Sequence, residues 1–329
     1  MMRSSTEFER IRSLIEVVDG PSPPEVQLGP GDDAATLRVG DDEILVVSTD
    51  LSVEDVHFRR EWLTWEAIGY RAVAAALSDL AAMTARPIGV LISLALPPDL
   101  DSAAPGELAR GLGSCLREQG AALLGGDLSR SPGPVVLDVT VVGATRHPVE
   151  RSGARAGDEL WVTGTLGGAA AAAAAWSVGR EPEPGARAAF ERPAPRTAES
   201  RWLANEAEVH ALIDLSDGLA ADAQHVAAAS GVRLELAAEA VPLHPIFEAW
   251  TQPEAALSLA VGGGEDYELL AALGPGFTAV VREAFEREFG VGLTRVGRVT
   301  EGSGVEWLDE RGSVRQPPAE GFDHFAEED

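Results

Sequence analysis

The residues with the clearest chemical potential follow an apolar stretch early in the chain. Residues 44–47 form an apolar, largely β-branched run that is typical of a buried strand. Ser48, Thr49 and Asp50 come directly after it. Hydroxyl and carboxylate oxygens are the ligands that Mg²⁺ prefers, although polar residues also end many ordinary strands. The stretch therefore predicts either a cation site or a plain polar turn.

Acidic residues recur at other points where apolar segments become polar. They are Asp33, Asp79, Asp127, Asp214 and Asp217. Carboxylates gathered around one cleft repel one another, and their pKa values rise unless cations lie between them. Mg²⁺ ions that bridge carboxylates to a polyphosphate remove this repulsion, as in metal-assisted phosphoryl transfer. The whole set therefore predicts one polynuclear metal site.

Each of these positions also has a simpler interpretation. Gly-Asp pairs such as those that end at Asp33 and Asp127 are common in turns, but glycines also let a phosphate approach the backbone. Ser216 and Asp217 are compatible with helix N-caps, whereas free N–H groups at a helix start also bind phosphate. Asp214, at the preceding strand end, has no capping role, which favours a function for it.

Composition limits the classes of protein that this chain can belong to. Its 329 residues are enough for two domains, and 45% apolar and 24% charged residues are typical of a soluble globular protein. The net charge of −27 argues against a nucleic-acid-binding surface. No apolar run approaches the roughly 20 residues that span a bilayer, and no signal peptide is visible. With a single cysteine, Cys115, the default expectation is a cytoplasmic protein.

The chain contains no lysine, since all 26 basic residues are arginine. A Walker-A loop and Schiff-base chemistry both need lysine, so both are excluded. Any cation that assists phosphoryl transfer must then be an arginine, and Arg151 is the first candidate.

Periodicity and turn residues predict alternating strands and helices in both halves of the chain. The predicted helices span residues 5–18, 65–83, 105–120 and 282–289, and a further helix, capped by Ser216 or Asp217, runs to about residue 229. The predicted strands span residues 88–96, 121–124, 135–142, 159–163, 232–236 and 267–273. Residues 125–127 are expected to form a turn, and residues 181–195 a connecting loop. Asp79 falls in the second predicted helix, where an exposed or capping role is the alternative to metal binding. The polar stretch 147–158 is the best domain boundary.

Nine ordered motifs together resemble the thiamine-monophosphate kinase family, over nearly the whole chain. They are Gly-Asp-Asp-Ala (31–34), Ser-Thr-Asp (48–50), His-Phe (57–58), Ser-Asp-Leu-Ala-Ala-Met (78–83), Gly-Gly-Asp (125–127), Arg-Ser-Gly-Ala (151–154), Ile-Asp-Leu-Ser-Asp-Gly (213–218), Gly-Gly-Glu-Asp-Tyr-Glu (263–268) and Gly-Phe-Asp-His-Phe (321–325).

The resemblance implies ATP-dependent phosphorylation of thiamine monophosphate, assisted by several Mg²⁺ ions, in a homodimer of α/β (α+β) subunits with two domains. Residues 1–148 would form the ATP- and Mg²⁺-binding and dimerisation domain, and residues 149–329 the domain that completes the substrate site. The implied metal ligands are Asp33, Ser48, Thr49, Asp50, Asp79, Asp127, Asp214 and Asp217. The implied nucleotide contacts are Gly126, Asp127, Arg151 and Ser216. The implied substrate contacts are His57, Glu265 and Phe322. The catalytic role falls to Asp50, Asp79, Asp127 and Arg151.

Two departures from the family pattern stand in these motifs. The family usually has Thr where Leu128 stands and Gly where Thr84 stands. The alternatives are an enzyme that resembles aminoimidazole ribonucleotide synthetase, which belongs to the same superfamily, and a non-catalytic acidic protein that binds divalent cations.

Overall fold

The structure is a computed structural model that describes residues 7–18, 20–30 and 34–321. The chain divides into two compact units. Unit 1 comprises Met1–Leu80 and Ala85–His147, and unit 2 comprises Ala81–Thr84 and Pro148–Asp329. Both units mix helices with sheets, which confirms the predicted fold class. Within the described ranges, no helix has the length and apolarity needed to cross a membrane.

Unit 1 is built on a mixed sheet with the strand order β3-β6-β4-β5, beside a small β1-β2 pair. Strand β6 pairs antiparallel with both β3 and β4, whereas β5 pairs parallel with β4. The elements of unit 1 are α1 (Glu7–Val18), β1 (Val26–Leu28), β2 (Thr36–Leu37), β3 (Ile44–Val53), α2 (Trp65–Ala82), β4 (Arg86–Leu96), α3 (Ala104–Gln119), β5 (Ala122–Arg130) and β6 (Val136–Thr145).

Helices α2 and α3 pack closely because glycine lies at their contact. A Cβ atom on Gly69 of α2 would lie 2.2 Å from the backbone oxygen of Leu108. A Cβ atom on Gly111 of α3 would lie 1.9 Å from the backbone oxygen of Glu66. Neither position tolerates a side chain, so the alanine-rich α2 is held deep in unit 1 with Asp79 in its last turns.

The two faces of strand β3 have different surroundings. Leu45, Val47 and Leu51 lie on one face, where they are 47%, 61% and 49% exposed. Ser48 and Asp50 lie on the other face and are half-buried, since successive side chains of a strand alternate. The strand therefore presents mainly apolar side chains on one side and the oxygens of Ser48 and Asp50 on the other.

Unit 2 contains a larger sheet with the strand order β13-β12-β9-β11-β7-β10-β8. Every residue of its strand β10 is buried, as in a sheet whose two faces are both covered. The elements of unit 2 are β7 (Glu159–Thr163), α4 (Gly168–Ser177), α5 (Pro184–Glu191), α6 (Thr197–Glu206), β8 (Val209–Asp214), α7 (Leu219–Ser230), β9 (Arg233–Ala237), the 3₁₀ helices Ala238–Ala240 and Pro245–Ala249, α8 (Pro253–Gly262), β10 (Leu269–Leu273), α9 (Ala279–Phe289), β11 (Leu293–Thr300), β12 (Gly304–Leu308) and β13 (Val314–Arg315).

Three local predictions are wrong. The Gly-Gly-Asp sequence at 125–127 is not a turn but lies inside β5, because parallel pairing with β4 continues through it. The predicted loop 181–195 contains α5, which begins at a proline and buries Ala186 and Phe190. Helix α7 begins after Gly218 without a side-chain cap, so neither Ser216 nor Asp217 caps it.

Candidate functional site

In unit 1, a strand residue and a helix residue meet directly. The Ser48 hydroxyl of β3 donates a 2.5 Å hydrogen bond to Oδ2 of Asp79 in α2. Asp50 lies two residues beyond Ser48 and therefore on the same face of the sheet. All three residues are half-buried. This group offers one hydroxyl and two carboxylates, which are hard oxygen ligands of the kind that Mg²⁺ takes.

Thr49 lies on the opposite face of the same strand. Its hydroxyl donates a 2.8 Å hydrogen bond to Oδ1 of Asp138 and lies 3.2 Å from the hydroxyl of Thr140. Thr49 is thus not brought together with Ser48 and Asp50. Asp138 is a carboxylate that the motifs did not indicate. The alternation of β6 is the signal that could have found it, since Asp138 and Thr140 interrupt an otherwise apolar strand.

Asp127 shares a face with Thr49 rather than with Asp50. It is paired with Ser93 of β4, and Ser93 is paired with Asp138 of β6. Asp138 is in turn paired with Leu51 of β3. These four residues form one row on the exposed face, whereas Asp50 belongs to the row on the other face. The register separates these two predicted ligands within unit 1, and their binding to the same metal stays a prediction.

Gly126 is required by the approach of β4 to the edge strand β5. A Cβ atom at this position would lie 2.0 Å from the backbone oxygen of Ile92. Gly126 and Asp127 also line a cavity of about 950 Å³ in unit 1. This volume lies within the range of pockets that hold small-molecule ligands, about 300–1,000 Å³.

His57 follows β3 in a tight turn. The backbone N–H of Val53 donates a 3.1 Å hydrogen bond to Nδ1 of His57, and the backbone N–H of His57 donates to the oxygen of Val53. The neutral imidazole therefore carries its proton on Nε2. Phe58 next to it is buried and fixes the turn in the core of unit 1. Asp33 lies outside the described residues.

Three aspartates of unit 2 gather where β8 meets α7. Asp214 ends β8 and is 4% exposed, whereas Asp217 is half-buried in the turn that follows. The backbone N–H of Asp217 donates a 3.2 Å hydrogen bond to Oδ2 of Asp222, which is 2% exposed in the first turn of α7. Arg151 is exposed, and its backbone oxygen accepts a 2.8 Å hydrogen bond from the hydroxyl of Ser230.

Asp222 and His225 were not indicated by the motifs. Ligand atoms of Asp217, Asp222 and His225 lie within 4.8 Å of one another, so these side chains could hold one cation. Desolvation, together with the charges of Asp214 and Asp217, raises the pKa of Asp222 to about 8. A buried carboxyl among like charges is the electrostatic setting that a cation relieves. The i, i+3 spacing of Asp222 and His225 on α7 is the sequence signal that could have found them.

Ser216 and Glu265 lie in two adjoining loops of unit 2. The backbone N–H of Glu265 donates a 2.8 Å hydrogen bond to the oxygen of Ser216. The Tyr267 hydroxyl donates a 3.0 Å hydrogen bond to Oε2 of Glu265. Glu265 and Tyr267 both have left-handed backbones, with φ of 65° and 52°. Phe322, the other predicted substrate contact in this half, lies outside the described residues.

Comparison with known proteins gives a consistent result for both units. The family model described as AIR synthase related protein, N-terminal domain, matches residues 31–145. The model of the C-terminal domain of the same family matches residues 155–308.

Individual relatives match over most of their length. A thiamine-monophosphate kinase from Mycobacterium tuberculosis is 36% identical over 314 residues, which cover 91% of this chain and 89% of that protein. The crystal structure of thiamine-monophosphate kinase from Stenotrophomonas maltophilia has a TM-score of 0.81 at 32% identity and covers 93% of this chain and 96% of that one. AaThiL complexed with AMPPCP and TMP has a TM-score of 0.74 at 29% identity and covers 99% of this chain and 100% of that one.

Proposed function

We propose, since the chain belongs to the thiamine-monophosphate kinase family of AIR synthase related proteins, that it transfers the γ-phosphoryl group of ATP to thiamine monophosphate. The product is thiamine diphosphate. The single observation that carries this function is the likeness of the whole chain to AaThiL, which has been solved with AMPPCP and TMP. The two ligands of that relative correspond to the donor and the acceptor of the proposed reaction.

We assign the metal-binding role in unit 1 first to Ser48, Asp50 and Asp79. Their oxygens fit Mg²⁺ in chemical type, and the 2.5 Å contact between Ser48 and Asp79 already holds two of them together. Mg²⁺, when bound, offsets the negative charge that develops between two phosphates. The further assignments, which rest on the family resemblance, are Asp33, Thr49, Asp127, Asp214 and Asp217.

We assign nucleotide binding to Gly126, Asp127, Arg151 and Ser216. Gly126 exposes its backbone at the wall of the 950 Å³ cavity of unit 1, and glycine lets phosphate oxygens approach the chain closely. Arg151 is exposed. The planar guanidinium of an arginine can bind two phosphate oxygens at once, which the ammonium group of a lysine cannot do. ATP is the proposed co-substrate.

The acceptor contacts are His57, Glu265 and Phe322. Nε2–H of the neutral His57 is a hydrogen-bond donor suited to a phosphate oxygen. The Glu265 carboxylate, which Tyr267 holds in place, suits the cationic thiazolium or a pyrimidine donor. Phe322 supplies an aromatic ring for stacking.

Transfer is direct in this proposal, without a phosphoenzyme. Cys115 is fully buried, which removes the one thiol as a nucleophile. The acceptor is already a phosphate dianion at neutral pH, since the second pKa of a phosphate monoester is about 6. It therefore needs no general base. Arg151 offsets the repulsion between the two phosphates while both substrates are bound.

The exposed apolar face of β3 is the proposed interface of a homodimer. Leu45, Val47 and Leu51 lie on it, and Leu91 of β4, which is 39% exposed, lies on the same face of the sheet. Apolar residues grouped on an exposed face commonly mark a protein–protein interface. The proposed compartment is the cytoplasm, where the thiol of Cys115 stays reduced.

A coupled ADP-release assay tests the function. The enzyme is given ATP, Mg²⁺ and, in parallel, thiamine monophosphate, thiamine or another phosphate monoester. We expect ADP release only when thiamine monophosphate is the acceptor. Double-reciprocal plots of rate against substrate concentration should give lines that intersect. Parallel lines, or label from γ-³²P ATP trapped on the protein without acceptor, would contradict direct transfer. Mg²⁺ binding without turnover would favour the non-catalytic alternative, and turnover with an aminoimidazole ribonucleotide precursor would favour the other enzyme class.

A further inference from the structure

The loop Gly264–Glu268 of unit 2 has an unfavourable backbone conformation, which contacts with neighbouring residues must stabilise. Glu265 and Tyr267 have φ of 65° and 52°, and a left-handed conformation is unfavourable for a residue with a side chain. Such conformations persist only where neighbouring contacts over-determine them. The contacts that hold this loop therefore determine where the Glu265 carboxylate lies.

Backbone hydrogen bonds join the loop to the segment that follows β8. Glu265 N–H donates to the oxygen of Ser216 at 2.8 Å, and Tyr267 N–H donates to the oxygen of Leu215 at 2.9 Å. Leu215 N–H donates back to the oxygen of Glu268 at 2.8 Å. The loop thus lies against the segment 214–217, and the backbone oxygen of Glu268 accepts the hydrogen bond that closes this contact.

The side chain of Glu268 is the buried anchor of the loop. It is 7% exposed and accepts two hydrogen bonds from Arg196, from Nε at 2.7 Å and from Nη2 at 2.5 Å. The Thr163 hydroxyl donates a third at 2.6 Å and itself accepts one from the N–H of Leu269 at 2.9 Å. A bidentate Arg–carboxylate pair fixes direction as well as distance.

We propose that Arg196 is a positioning residue for the acceptor: through Glu268 it fixes the Gly264–Glu268 loop and hence the carboxylate of Glu265. This inference rests on the proposed function, in which Glu265 contacts thiamine monophosphate. Arg196 is 15% exposed and, just before α6, lies outside all the family motifs named above. Tyr267, whose hydroxyl reaches Glu265, is the last contact in this chain of interactions.

The effect should fall on the acceptor more than on ATP. Ser216, the proposed nucleotide contact, follows β8, which pairs with β10 from Val209 to Asp214 independently of the loop. Glu265 lies in the loop before β10 and is not part of a strand. Loosening the anchor therefore displaces Glu265 first, and small displacements of a binding group can cost up to about a hundredfold in rate.

Kinetics of two variants test the proposal. Arg196→Lys keeps the charge but loses the bidentate geometry, and Tyr267→Phe keeps the ring but loses the hydroxyl. We expect both, like Glu265→Ala, to raise KM for thiamine monophosphate by about tenfold, with KM for ATP changed by less than about twofold. Arg298→Lys is the matched control, because Arg298 pairs with Glu235 at the surface of the same unit and is 61% exposed. Equal changes in both KM values, or none in either variant, would overturn the proposal.

Hydrogen exchange gives a readout that does not depend on the substrate. In Arg196→Lys, the amides of residues 264–268 should exchange faster than in the wild type, while those of β7 and β10 keep their protection. Unchanged exchange in the loop would overturn the anchoring role of Arg196 even if the variant is less active. If the wild type releases no ADP with thiamine monophosphate, the proposed function fails, and the exchange result still decides whether Arg196 anchors the loop.

Discussion

The hydroxyl of Ser48 lies 2.5 Å from Oδ2 of Asp79, although 31 positions separate the two residues in the chain. The contact joins strand β3 to helix α2 on the side of the sheet where Asp50 also lies. A short hydrogen bond to an ionised carboxylate is among the stronger interactions in a protein. The bond fixes the position of the Asp79 carboxylate, which is one of the proposed metal ligands.

Asp79→Asn should reduce kcat by orders of magnitude, because one carboxylate ligand is lost while the side-chain shape is kept. Titration with Mg²⁺ should show weaker binding by calorimetry, and circular dichroism should show an intact fold. Asp42→Asn is the control in the same unit, since Asp42 is exposed and forms a surface ion pair with Arg146. Near-wild-type turnover in Asp79→Asn would remove this residue from the proposed metal ligands.

Gly126→Ala should destabilise unit 1 strongly, by roughly 2 kcal/mol or more, because the new methyl group would overlap the backbone oxygen of Ile92. Gly133→Ala is the matched control in unit 1, since a Cβ atom there has no neighbour within 4 Å. Chemical denaturation of the two variants measures the difference. Similar midpoints would show that β4 and β5 can separate without cost.

Metal-free protein should lose stability as pH rises, partly through Asp222. The pKa of this residue is raised to about 8 in the fold by desolvation, Asp214 and Asp217, from an ordinary value of 3.8, while Arg151 acts in the opposite direction. The neutral form therefore stabilises the fold fully below about pH 4, and this contribution is lost as pH rises through about 8. His225 faces the same cluster.

Thermal unfolding in EDTA measures this effect between pH 5 and pH 8.5. Asp222→Asn, which cannot ionise, should show a smaller fall in Tm over this range than the wild type. Glu254→Gln is the control, because Glu254 is an exposed acid of the same unit. Added Mg²⁺ should raise the Tm of the wild type at pH 8.5 more than that of Asp222→Asn. Parallel pH profiles for the two proteins would contradict the raised pKa.

Val47→Asp should convert a dimer into a monomer. Val47 is 61% exposed on the proposed interface and lies away from the core of unit 1, so the charge should block association without unfolding the subunit. Light scattering measures the mass. Val178→Asp is the control, since Val178 is a comparably exposed valine of unit 2, at 67%. An unchanged mass for Val47→Asp would exclude this face as the interface.

Sequence alone determined the class of protein and the chemistry of its side chains. Nine motifs in order indicated the family, and the comparisons confirm it. The absence of lysine excluded the mechanisms that need one, because no fold can supply a side chain that the sequence lacks. The helix α2 was also predictable, since the spacing of apolar residues along a helix reflects its buried face. The apolar run 44–47 correctly predicted a strand, but the expected burial was wrong, because Ile44, Leu45 and Val47 are 50%, 47% and 61% exposed.

Tertiary structure decided which of these side chains meet. Ser48 and Thr49 are neighbours in sequence, yet the pleat directs one towards Asp79 and the other towards Asp138. The local sequence Gly-Gly-Asp at 125–127 predicts a turn, but parallel pairing with β4 extends strand β5 through it. Likewise, Arg196 and Glu268 are separated by 72 positions, and the sequence around neither residue predicts that they pair. Contacts of this kind depend on register and long-range packing, which no spacing of residue types along the chain encodes.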